Sequence, residues 1–147
     1  MVMITNYIPD NNVLVCVTDQ LSCERLIRTG AAIAKKKGIP VQVVSVLPET
    51  LVSDNTACVM QKLYDTANSL GAEMTFYFNS DPALTVVVHA KKSGATHIVS
   101  GTPGTDSTLF IETIKSLLPD LPITIINTDN RLYTFPAVYP TLHSVMK

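Results

Sequence analysis

Apolar positions along this chain fall into two rhythms, short unbroken runs and helical repeats, and the two alternate. Val13-Leu14-Val15-Cys16-Val17 is continuously apolar, the pattern of a strand buried on both faces. Thr18 to Ser22 reads as a turn, with Asp19 and Ser22 as turn and cap residues. A helix follows, with apolar or small residues at Leu26, Ile27, Gly30, Ala31, Ile33 and Ala34. Lys35-Lys36-Lys37, Gly38 and Pro40 end it. Cations in a last turn with glycine just beyond are stop chemistry, so the lysines read as a solvated helix end rather than a binding patch. Val41 to Leu47 is a second strand, closed by Pro48. Asp54 is placed to cap a helix through Val59, Met60, Leu63, Ala67 and Leu70, which stops at Gly71.

Met74 to Phe78 alternates as an edge or half-exposed strand does. Asp81-Pro82 is an N-cap followed by proline at the first helical position. Leu84, Val87 and Val88 give that third helix its inner face, although the valines at 86 to 88 also read as strand, and Ser93-Gly94 ends it after Lys91-Lys92. His97 to Ser100 is a fourth strand. Phe110, Ile114, Leu117 and Leu118 mark a fourth helix, and Pro122 to Asn127 a fifth strand. Strands alternating with helices imply parallel pairing and right-handed crossovers, hence a three-layer α/β sandwich around a five-stranded parallel sheet. With the first strand central, two and three to one side and four and five to the other, the order is 3-2-1-4-5. The tail from Arg131 to Lys147 differs: Tyr133, Phe135, Val138 and Tyr139 are interleaved with Pro136 and Pro140. It cannot be a regular helix and must pack on its own domain or on a second copy.

The chain has 147 residues, 46% hydrophobic and 16% charged, which suits one compact domain with a core near 12–128 and an extension over 129–147. A net charge of −1 without a basic stripe argues against nucleic acid and anionic membranes as partners. No apolar run approaches the ~18 residues of a membrane span. The first residues lack the basic flank and cleavage site of a secretory signal, so a cytoplasmic location is expected. Cys16, Cys23 and Cys58 show no metal-ligand spacing with His89, His97 and His143, and read as reduced core thiols.

Candidate chemistry gathers at His97 to Thr108. A buried strand feeds a four-residue turn, Gly101-Thr102-Pro103-Gly104, then a hydroxyl-rich segment and a helix. Glycines let backbone approach a ligand, and a helix N-terminus offers unpaired N–H groups and a positive dipole end to an anion. In open parallel sheets ligands sit beyond the carboxyl ends of strands where the winding reverses. The order 3-2-1-4-5 puts that reversal between strands one and four, so the turns at 18–22 and 101–108 become one site. Plainer readings stand beside this one. The glycines can serve a tight strand-to-helix connection, Asp19 can be a turn residue, and Ser107 and Thr108 can be helix caps. His97 reads as a satisfied or edge histidine, and His89 and His143 as surface groups. No nucleophile elbow, phosphate loop or paired-carboxylate motif is present, so no catalytic residue is assigned and no enzyme is expected.

Five segments carry a resemblance: Val13 to Val17, Ser22-Cys23-Glu24-Arg25-Leu26-Ile27-Arg28, Leu70-Gly71-Ala72-Glu73, Ile98-Val99-Ser100-Gly101 and Leu118-Pro119-Asp120-Leu121. In order and spacing they resemble the universal stress protein family over roughly residues 12 to 128. The likeness is strongest to the stress-protein-like cytosolic subdomain of potassium-sensing histidine kinases of the KdpD type. The resemblance implies a Rossmann-like, adenine nucleotide α-hydrolase-like fold, and a homodimer that binds AMP or ATP in stress, osmotic or potassium signalling, with Mg²⁺ only if a triphosphate binds. Residues implied at the nucleotide are Thr18, Asp19, Val46, Gly101, Thr102, Pro103, Gly104, Ser107, Thr108 and Thr113. The family's G-x2-G-x9-G-[ST] turn is half present. Ile114-Lys115 occupies its second half, while a shorter register aligns Glu112-Thr113 there, keeping a hydroxyl and adding a carboxylate. A carboxylate and a phosphate about 4 Å apart repel by about 1 kcal/mol in water and more when desolvated, which argues against a full triphosphate and leaves a mononucleotide, an adenosine-type ligand, another small anion or no ligand. The alternative function is a ligand-free dimerisation or interaction domain built on the aromatic tail, and slow nucleotide hydrolysis is a third.

Overall fold

The computed structural model describes residues 11–49, 53–102 and 108–137. The strands are β1 (Asn12–Val17), β2 (Val41–Leu47), β3 (Glu73–Phe78), β4 (Ala95–Gly101), β5 (Ile123–Ile126) and β6 (Leu132–Phe135). The helices are α1 (Glu24–Lys37), α2 (Asp54–Ser69), α3 (Pro82–Ser93) and α4 (Thr108–Leu117). Sheet order is β3-β2-β1-β4-β5-β6. The first five strands run parallel in the expected order, and β6 adds antiparallel to β5.

The sixth strand corrects the five-stranded expectation. Asn127 turns the chain by accepting the amides of Asp129 and Arg131 on Oδ1, both at 2.9 Å, and Asn130 takes the left-handed φ of 63° that asparagine tolerates. Thr134 then meets its register partner Thr124, hydroxyl to hydroxyl at 2.9 Å, and Thr124 meets His97 Nε2 at 2.7 Å. Lys115 Nζ lies 4.9 Å from the Phe135 ring centre, tying β6 to α4. So residues 132–135 of the tail pack on their own domain, while Val138, Tyr139 and Pro140 lie outside the described residues.

Each face of the sheet carries its own apolar layer. Val13, Val15, Val43 and Val99 meet Leu26, Ile27 and Ala34 of α1 and Met60, Leu63 and Ala67 of α2. On the other face Leu14, Val44, Ile98 and Ile123 meet Val86, Val87 and Ala90 of α3 and Ile111, Ile114 and Leu118 at and after α4. Full burial of each large aliphatic side chain stabilises the fold by about 1.5–3 kcal/mol. Gly30 brings α1 down onto the sheet, since a Cβ there would overlap Val15 Cγ2.

Several local expectations need correction. Ser22 does not cap α1: Leu21–Cys23 forms a 3-10 turn that runs straight into the helix and occupies its first amides with backbone carbonyls. Ser53, not Asp54, caps α2, with Oγ accepting the Thr56 amide at 3.1 Å. Helix α3 is turned so that Ala83, Val86, Val87 and Ala90 face the sheet, leaving Leu84 and Val88 each 48% exposed. The small alanines let α3 lie close, which the larger side chains would prevent. Leu117 of α4 and Cys58 of α2 are likewise exposed rather than core. Asp81 does cap α3 through Leu84, and Gly38 and Gly94 take left-handed φ at the ends of α1 and α3 as expected.

His89 is buried, not a surface group, because it sits inside a polar chain crossing the sheet. Gln42 Nε2 donates to Asn12 Oδ1 and Ser93 Oγ, both at 2.6 Å, which turns its carbonyl oxygen toward His89 Nε2 at 2.8 Å. An amide oxygen only accepts, so Nε2 carries the proton, and Nδ1 accepts from the Tyr77 hydroxyl at 2.8 Å. The chain clamps α3 to β2 and β3. His97 is only half satisfied, since its Nδ1 has no partner among the described residues. His143 lies outside them.

Candidate functional site

Strand β1 pairs with β2 on one side and β4 on the other, so the winding reverses between β1 and β4. A cleft of about 610 Å³ opens beyond the carboxyl ends of these strands. That is within the roughly 300–1,000 Å³ range of small-ligand pockets. Its floor includes Cys16 and Val17 of β1 and Ser100 and Gly101 of β4, and its rim takes in the starts of α1 and α3 and the inner side of α4.

Of the residues expected at the nucleotide, Thr18, Val46, Gly101, Thr102 and Thr113 line this cleft together. Asp19 is not among the lining residues: its Oδ2 accepts the Thr56 hydroxyl at 3.2 Å, tying the β1–α1 loop to the start of α2. Pro103, Gly104 and Ser107 lie outside the described residues, as does the side chain of Thr108, whose backbone opens α4. Glu112 faces solvent while its neighbour Thr113 turns inward, so the carboxylate that the shorter register would set beside a ligand points away.

Local hydrogen bonds hold the two loops in position. The Thr18 amide donates to Cys23 Sγ at 3.5 Å, folding the β1–α1 loop back on the start of the helix. Across the cleft, the Thr102 amide and hydroxyl both donate to the Ile126 carbonyl, at 3.2 and 3.4 Å. Gly101 serves close approach: a Cβ there would lie 3.3 Å from Leu26 Cδ1, tighter than an ordinary contact.

Two charged residues that the sequence reading does not assign to the site also line the cleft. Arg25, in the first turn of α1, donates through Nη1 to the Asn127 carbonyl at 2.8 Å and lies 3.4 Å from the Ile126 carbonyl. Asp81, at the start of α3, accepts the Leu84 amide on Oδ1 at 3.2 Å. Among the described lining residues these are the one cation and the one carboxylate. The pKa of the Cys16 thiol is pushed up to about 12 by burial, so the thiol stays protonated at neutral pH and is unsuited to nucleophilic attack. Among the described residues no group of three His, Cys, Asp or Glu could hold a metal, and no helix is long and apolar enough to cross a membrane. The arrangement suits recognition of a small polar ligand at an apolar floor.

No family model matches the chain, and neither does any curated protein. Solved structures do resemble it. A universal stress protein from Archaeoglobus fulgidus in complex with dAMP is 21% identical, with a TM-score of 0.57 over 80% of this chain and 98% of that one. A universal stress protein in complex with cAMP is 15% identical, with a TM-score of 0.61 over 81% and 98%. An Arabidopsis thaliana family protein with AMP bound is 13% identical, with a TM-score of 0.53 over 81% and 91%. This chain has the α/β fold of the universal stress proteins, its parallel sheet extended by the antiparallel β6.

Proposed function

We propose that this chain is a non-catalytic module that binds an adenine mononucleotide in the cleft between β1 and β4. The observation that carries the reading is the cleft itself, where Thr18 and Val46 meet Gly101, Thr102 and Thr113 at the reversal of the sheet. The similar stress proteins hold dAMP, cAMP and AMP, each a nucleotide with a single phosphate, and this supports the same ligand class here. Pro103, Gly104, Ser107 and Thr108 join the site through the family resemblance, and Asp19 joins it by releasing Thr56. A triphosphate with Mg²⁺ is the less favoured ligand. The family resemblance carried by the five segments, with its likeness to the KdpD-type subdomain, supports reading the module as a cytoplasmic homodimer that reports stress, osmotic or potassium state.

Thermal-shift titration with AMP, cAMP and ATP tests the reading. A ligand that binds only the folded chain raises the melting temperature, by mass action equivalent to about 2.7 kcal/mol at a hundredfold excess over Kd. We expect AMP to do so and freshly purified protein to show raised absorbance at 260 nm. No shift with any nucleotide refutes the reading. It would favour a ligand-free dimerisation domain, to which the exposed Leu132, Tyr133 and Phe135 on the β6 edge lend support.

A further inference from the structure

Resting on the nucleotide reading, we infer that Arg25 is the residue that reads the ligand's phosphate and fixes which way round the ligand lies. Three observations carry it. Arg25 is the one cation among the described residues that line the cleft. Its guanidinium is held at the end of β5 by the Asn127 and Ile126 carbonyls through Nη1, so it is oriented before any ligand arrives. A guanidinium has five N–H donors in a planar fork, and two carbonyls on one nitrogen leave Nη2 and Nε for a second partner.

The opposite charge sits at the opposite end. Asp81 caps α3, which follows β3, while Arg25 is held beside β5, and the sheet order sets these strands on either side of the β1–β4 reversal. The cleft therefore has one polarity: a phosphate is attracted to the β5 end and repelled from the β3 end. Thr102 and Thr113 add hydroxyls to the cleft lining, and Val46 adds apolar surface from β2, suited to a base. One guanidinium balances one phosphate. The ligand class is thus a nucleoside monophosphate or cyclic monophosphate, base toward Val46 and phosphate toward Arg25.

The test is isothermal titration of AMP and of adenosine into the unaltered chain, Arg25→Gln and Arg25→Lys. Loss of a charge-assisted contact is expected to weaken AMP by about tenfold to a hundredfold in Arg25→Gln, with adenosine changed by less than about threefold. Arg25→Lys keeps the charge without the fork, and AMP affinity should fall between the two. If Arg25→Gln does not fold, because the Asn127 contact is lost, the lysine variant carries the test, with AMP weakened and adenosine spared. AMP affinity that is unchanged, or that falls in parallel with adenosine, overturns the inference and leaves the nucleotide reading standing. Failure of the unaltered chain to bind either compound overturns both.

Discussion

Replacing Gly30 by alanine sets helix propensity directly against packing. In a solvated helix the change stabilises by about 1 kcal/mol, because glycine leaves the backbone more freedom to lose. Here the new Cβ would overlap Val15 Cγ2. Val15 is fully buried in the central strand, between β2 and β4, and its β-branched side chain has little rotamer freedom. The helix must therefore lift away from the sheet, disturbing the contacts of Leu26, Ile27 and Ala34. Overpacking of this kind costs about 1–3 kcal/mol, and its upper half applies because the obstacle is rigid. The net expectation is destabilisation by about 1–2 kcal/mol.

Urea unfolding measures this, read as a lower midpoint at unchanged slope. The decisive comparison is the same substitution in a Val15→Ala background. Val15→Ala alone destabilises through its cavity, but it removes the overlapping methyl. In that background Gly30→Ala should be neutral or stabilising by up to about 1 kcal/mol, giving a coupling of about 2 kcal/mol between the sites. A Gly30→Ala chain more stable than its parent with Val15 in place would refute the argument that close approach, not turn geometry, is what requires this glycine.

Two further outcomes are expected. His89 and His97 are both held below the ordinary histidine range, first by burial and then by the nearby charges of Lys92 and Lys37 respectively. As pH falls below the unfolded value of 6.5 the unfolded chain takes up protons that the folded chain does not, so stability present above that pH is lost toward the folded values. Urea midpoints should fall between about pH 7 and about pH 5, and a flat or rising profile would count against both buried rings. Gln42→Leu, although it puts an apolar side chain at a buried position, removes the acceptor of His89 Nε2–H and a donor to Ser93 Oγ. It should cost about 2–4 kcal/mol by the same urea assay, and a cost below about 1 kcal/mol would show the polar chain to be dispensable.

How much of this is legible in the sequence depends on how far apart the causes lie. Val13 to Val17 and Val41 to Leu47 announce buried parallel strands by their unbroken apolar character, and Gly38 and Gly94 announce helix ends, because both signals act within one element. The inner face of α3 is ambiguous at the triple valine. A run of three apolar residues points to every side of a helix, and only the sheet beneath decides that Ala83 and Ala90 face inward. The β6 strand is hidden by the prolines that follow it, although the turn-rich Asn127 to Asn130 segment ahead of Leu132 to Phe135 is a hairpin signal.

The site itself divides along the same line. Thr18, Gly101 and Thr102 can be brought together from the sequence because strand order alone predicts their meeting, and the β1 pairing with both β2 and β4 supplies that order. Arg25 cannot be assigned in this way. Its partners are 101 and 102 residues away along the chain, and they are backbone carbonyls, which carry no side-chain signature. Asp81 is recognisable as a cap and serves as one, but the same carboxylate also lines the cleft, and nothing within its own helix reports that second duty. Charge in this cleft is thus set by tertiary placement of groups whose local roles are already explained. A sequence scan for cations near the Gly101 turn misses Arg25, the one cation among the described lining residues. The polarity of the cleft, with Arg25 at one end and Asp81 at the other, follows from topology rather than from motif.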